Sequence, residues 1–138
     1  MERARRPIRY LGADEIIGFN RSLVLQTGGL TRNAGKAINP GSLDYLTQIV
    51  REQRTEDPLR RVIAEKAAIY AYNIITRHVF FDGNKRTGMA CAFFFLRLNG
   101  YELSSSLSCS DIVKVAVDIA KGEMDLPSLR RWFEERIA

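Results

Sequence analysis

Apolar residues recur at helical spacing along most of this chain, and no run alternates as a half-buried strand would. Residues 13–26, ADEIIGFNRSLVLQ, predict a first helix with acids in the opening turn, where the helix dipole favours them. Residues 27–41, TGGLTRNAGKAINPG, carry too many glycines for regular structure, so a loop or a small hairpin is expected there. Ser42 then caps a helix running to about Glu52, and Arg54 to Asp57 is a short polar break. Pro58 suits the start of the next helix, which ends near Arg77. Its Leu59, Val62, Ile63, Ala67, Tyr70 and Ile74 keep helical spacing, while Ala64, Ala68, Ile69 and Tyr72 fill the other faces; such a helix is surrounded.

Residues 85–98 predict another helix, apolar nearly all round, with Asn99-Gly100 as its stop. Residues 111–121 place Ile112, Val115, Ala116 and Ile119 on one face, and residues 126–137 form a last amphipathic helix. The expected fold class is all-α, a helical bundle with a possible small hairpin or flap at 27–41. At 138 residues it reads as one domain, 1–138, able to bury about two-thirds of its surface without disulfide or metal.

Between two helices headed for the core stands HVFFDGNKRT, residues 78–87. It holds the chain's only histidine, an acid, a glycine, an amide and two cations. The first turn of the following helix offers unpaired N–H groups and a partial positive charge, a ready phosphate site. Gly83 lets backbone approach a ligand closely, and Lys85 and Arg86 add positive charge. Asp82 is one carboxylate, which suits Mg²⁺ completed by phosphate and water. His78 can serve as a base near neutral pH. Taken singly, each has a plainer role: a histidine capping a helix, an Asp-Gly-Asn turn, two solvated cations, and a core Phe80. Their conjunction between two buried helices is what transfer of a phosphate-containing group to a hydroxyl requires.

Composition narrows the field. The formal charge of +5 admits an acidic partner or a nucleotide, and 46% apolar residues exclude a disordered tail. Cys91 and Cys109 lie in no ligand-like spacing, so a zinc site is not expected, and unpatterned thiols suit the cytoplasm. The basic N-terminus lacks the apolar run of a signal peptide, and the apolar stretch 88–96 is too short to span a bilayer.

The decapeptide resembles the signature of the Fic/Doc family, His-x-Phe-x-Asp/Glu-Gly-Asn-Gly/Lys-Arg, with His78, Phe80, Asp82, Gly83, Asn84, Lys85 and Arg86 at the matching positions. Thr87, then Arg97, Asn99 and Gly100 after an apolar helix, resemble the Doc (death-on-curing) type, as do Gly28-Gly29-Leu30 and Pro40-Gly41-Ser42-Leu43 upstream. The likeness covers most of residues 10–135. It implies His78 as the base that deprotonates a target hydroxyl and Asp82 as the Mg²⁺ ligand. It also implies Gly83, Asn84 and Lys85 around the nucleotide phosphates, Arg86 as the phosphate-binding arginine, and Phe80 as buried anchor. ATP and Mg²⁺ are the implied substrate and cofactor.

Two positions depart from the family's AMP-transferring branch. That branch has glycine where Lys85 stands and a second arginine where Met89 stands. Both features resemble the Doc type, which implies a toxin that passes the terminal phosphate of ATP to a protein, with a translation elongation factor as the known class of target. AMP transfer is the alternative. The residues before Pro40, Lys36-Ala37-Ile38-Asn39, lack the Arg-Asp pair usual in Doc-type chains at the region that docks the target. No Ser/Thr-x-x-x-Glu-Gly/Asn inhibitory motif is present, so restraint is expected from an antitoxin chain in trans. A basic nucleic-acid-binding or ribonuclease-like toxin is the competing class, supported by arginines 3, 5, 6 and 9. Against it, Phe93, Phe94 and Phe95 are expected in a buried helix rather than among exposed cations. A silent interaction protein is the third reading, opposed by the intact His78, Asp82 and Arg86.

Overall fold

The computed structural model describes residues 7–27, 31–52 and 58–138. These contain α1 (Ala13–Gln26), α2 (Pro40–Glu52), α3 (Leu59–Thr76), α4 (Asn84–Leu98), α5 (Cys109–Ala120) and α6 (Leu126–Arg136), with a short 3₁₀ turn at Thr31–Asn33. Strand pairing among the described residues is limited to two isolated bridges, Ala37 with Phe80 and Leu103 with Ile137. The fold is all-α, as the periodicity predicts.

The central element is α3. Ala64, Ala67, Ala68 and Ala71 along it are fully buried, and such small side chains let neighbours approach closely. Helices α4, α6, α2 and α5 all pack on it. The fit against α4 is tight at Gly88, where a Cβ would lie 2.8 Å from Ile75 Cγ1 and 3.1 Å from the Ala71 carbonyl oxygen. Only glycine allows that crossing, and the crossing sets the end of α3 beside the start of α4. The Tyr70 hydroxyl, deep in the same core, donates to Leu11 O at 3.0 Å and accepts from Leu11 N at 2.8 Å, pinning the segment before α1. Burial pushes its phenol well above the ordinary tyrosine range.

Several boundaries differ from expectation for local reasons. α2 starts at Pro40, not Ser42: Asn39 Oδ1 accepts the Ser42 N–H at 3.4 Å, and Ser42 is buried instead of capping. α5 starts earlier, at Cys109, because Ser108 closes a capping box with Asp111. Residues 31–39 form no hairpin of their own. Gly35, at φ +75°, turns this segment, and Ala37 then pairs with Phe80 across the chain. The Gly28-Gly29-Leu30 resemblance, the polar break at 54–57 and the arginines at 3, 5 and 6 lie outside the described residues. Phe95 is fully buried as expected, but Phe94 is 42% exposed, its ring edge-on to Phe19 at a 5.2 Å centroid separation.

Candidate active site

The loop from α3 to α4 is built around its own backbone. At the end of α3, Arg77 donates from Nε to Asn73 Oδ1 at 2.9 Å, and its guanidinium lies 4.5 Å from the centre of the Tyr45 ring. His78 follows at φ +46°, the left-handed turn that commonly ends a helix and usually falls to glycine. Histidine is among the few other residues enriched there, yet the conformation costs about 1 kcal/mol. The turn leaves the His78 side chain exposed while Val79 and Phe80 drop into the core at 0% exposure. Burying the Phe80 ring contributes about 1.5–3 kcal/mol, which holds the loop down.

Two sets of hydrogen bonds close the structure. Asn84 Oδ1 accepts the Phe80 N–H at 2.9 Å, and Asn84 Nδ2 donates to Phe80 O at 2.8 Å. On the other flank, Val79 O accepts Ile38 N at 2.8 Å, so residues 37–39 run alongside the first half of the motif. The Asn84 carboxamide is therefore engaged by the loop. Phe81 and Asp82 are exposed beyond the closed turn. Gly83, at φ +76°, begins α4, and a Cβ there would press on Val24 and Asn20 at 3.2 and 3.3 Å.

The start of α4 is electrostatically open. It has no side-chain cap and no acid in its first turn, and Lys85 and Arg86 are exposed there. By helix geometry the N–H groups of Asn84, Lys85 and Arg86 have no carbonyl one turn behind them. An anion is the natural complement of that end. Among the described residues no three His, Cys, Asp or Glu side chains gather into a metal-sized cluster. Asp82, exposed and single, fits a hard divalent ion only when phosphate oxygens and water supply the rest of the shell. Beside this end lies a cavity of about 420 Å³ between α1, α4 and α5. Leu23, Met89, Phe93, Ile112 and Ala116 help line it, and its charged lining residues are Lys85 and Arg86. Met89 is buried, so the face of α4 one turn beyond Arg86 is apolar.

His78, Phe80, Asp82 and Gly83 lie in the connection between α3 and α4, and Asn84, Lys85 and Arg86 open α4. The motif did not reveal Asn20. This α1 residue is fully buried, donates from Nδ2 to Asp82 O at 2.8 Å and to Thr87 Oγ1 at 3.1 Å, and accepts Gly35 N at Oδ1 at 2.9 Å. The signal for it was present: Ile16, Asn20 and Val24 share one face, and a lone amide on a core face needs partners.

This fold and this loop define a class, and the chain belongs to the Fic/DOC family: the family model matches residues 10–96. The "Protein kinase doc" of Escherichia phage P1 is 26% identical over 122 residues, covering 88% of this chain and 90% of that protein. The "Toxin Doc" of Mycolicibacterium smegmatis is 32% identical over 65 residues, covering 47% of this chain and 50% of that one.

Proposed function

We propose that this chain is a toxin that transfers the terminal phosphate of ATP to a hydroxyl of a protein. The observation that carries this reading is the Asn84–Phe80 closed loop, which runs from His78 through Asp82 into the start of α4, where Lys85 and Arg86 stand and no first-turn acid or side-chain cap is present. His78 takes the proton of the target hydroxyl as its oxygen bonds to phosphorus; the bond from that phosphorus to the bridging oxygen breaks and ADP leaves. Arg86 and the first N–H groups of α4 receive the charge on the phosphate oxygens. Asp82 is the residue that would hold Mg²⁺, which when bound neutralises phosphate charge. Lys85 and Gly83 complete the anion nest.

Phosphoryl rather than adenylyl transfer is favoured by Lys85 in place of glycine and by the buried Met89, which offers no charge to terminal phosphates where the AMP-transferring branch has a second arginine. The name of the phage P1 relative, a protein kinase, points the same way, and that of the mycobacterial relative supports the toxin reading. A translation elongation factor is the expected target class and the cytoplasm the expected location. Among the described residues no helix is long and apolar enough to cross a membrane. An antitoxin chain is the expected partner, covering the 27–41 loop and the groove around His78.

The test is incubation with a cell lysate and ATP labelled at either the α or the γ position. The expected result is γ-label alone on one protein, with the phosphoryl mass by mass spectrometry. Lys85→Gly should weaken it and admit some adenylyl product. An adenylyl adduct from the unaltered protein overturns the choice of reaction, and no adduct overturns the transferase reading.

A further inference from the structure

We infer that Asn20, which the family motif does not contain, is a positioning residue that sets the Asp82 carboxylate and links it to the 31–39 segment. The inference deepens the function proposed above and rests on it for the role of Asp82. The chain of contacts is continuous. Asn20 Nδ2 donates to the Asp82 carbonyl at 2.8 Å, and the N–H on the other side of that same peptide, Gly83 N, donates to Asp82 Oδ1 at 2.7 Å. A peptide is planar, so holding its carbonyl also aims its N–H. Asn20 thereby fixes the direction in which the Asp82 carboxylate is held. Bonds in series polarise one another, which strengthens the pair.

The rest of the amide is equally committed. Its second Nδ2 hydrogen goes to Thr87 Oγ1 at 3.1 Å and its oxygen accepts Gly35 N at 2.9 Å. One buried side chain thus joins three segments: the turn bearing Asp82, the first turn of α4, and the segment whose Ala37 pairs with Phe80. Gly83 is also matched to it, since a Cβ there would stand 3.3 Å from Asn20 Nδ2. Only an amide of this length supplies two donors and an acceptor in these directions. Aspartate keeps the shape but offers acceptors where Asp82 O already accepts.

The test uses the whole protein and the variants Asn20→Asp and Thr87→Val. The probes are Mn²⁺ with ATP, titrated by calorimetry, and the Gly83 amide resonance followed by NMR. Asn20→Asp should move the Gly83 amide and weaken Mn²⁺–ATP binding by roughly 10-fold or more, the usual range for loss of an outer partner of a metal ligand. Thr87→Val removes a different Asn20 contact and should leave the Gly83 amide near its original position, although both variants lose stability. If Asn20→Asp leaves the Gly83 amide unmoved, or Thr87→Val moves it as far, the positioning role is overturned. In the unaltered protein the Asn20 side-chain amide protons should exchange slowly with solvent; exchange as fast as in an exposed asparagine overturns the role even where a variant fails to fold. Asp82→Asn separates the two readings. If it leaves Mn²⁺–ATP affinity unchanged while Asn20→Asp still moves the Gly83 amide, the metal role of Asp82 falls and the positioning of its carboxylate stands.

Discussion

His78 combines strain with exposure. Its left-handed backbone brings its side chain to the surface exactly where the chain leaves α3, and a glycine would hold that turn at less cost. That conflict predicts a separation of stability from activity. His78→Ala should reduce transfer by roughly 10²-fold or more, the usual contribution of a general base. His78→Gly should lose activity equally while its denaturation midpoint holds or rises. Paired transfer assays and urea melts check both. Undiminished transfer in either variant removes the base, and a marked loss of stability in His78→Gly makes the imidazole a structural cap. Asn84 shows the reverse economy: its side chain serves the fold, through two bonds to Phe80, and leaves the charge work to its neighbours.

At the scale of elements, the site depends on how closely α3 and α4 run. Gly88→Ala would force its methyl against Ile75 and the Ala71 carbonyl, and α3 backbone cannot move aside as a side-chain tip can. The expected cost is about 1–3 kcal/mol by urea denaturation, as for overpacked cores. Unchanged stability would mean that the crossing has slack. A second prediction concerns α5, one wall of the groove. The Asp111 carboxyl is held below the usual carboxylate range by the Ser108 backbone N–H and then by its hydroxyl. A carboxyl lowered in the folded state stabilises above its unfolded pKa, and that contribution is lost as pH falls through the folded value. The stability gap between the unaltered protein and Asp111→Asn should therefore be larger at about pH 7 than below about pH 3. A gap independent of pH would show that the capping box does not hold the carboxylate in solution.

For the whole molecule, the groove between α1, α4 and α5 and the exposed Ile38 and Phe81 beside the loop leave the site's surroundings open and apolar. Expression of the chain alone should arrest growth, and His78→Ala should abolish the arrest. Co-expression of a small antitoxin partner encoded nearby should restore growth. Harmless expression of the soluble, unaltered chain would overturn the toxin reading.

Much of this was legible in the residues alone. The helical periods predict the six helices to within a few residues, because a helix repeats its buried face every turn. The motif is contiguous in sequence, so His78, Asp82 and Arg86 are close along the chain in any fold. What only the tertiary structure decided involves partners distant in sequence. The shifted helix starts at Asn39 and Ser108 are not of that kind, since each cap partner lies three residues away in sequence. Residues 31–39, glycine-marked as a turn, keep one turn bond of their own, Lys36 N–H to Asn33 O, while Ile38 and Asn39 donate to Val79 O and Ala37 pairs with Phe80. Asn20 reads as one polar residue in a helix, and its role exists only because packing carries it to Asp82, Thr87 and Gly35, each at least 15 positions away. Periodicity encodes which face of a helix is buried; which partner a buried amide meets there is settled by the packing of whole elements.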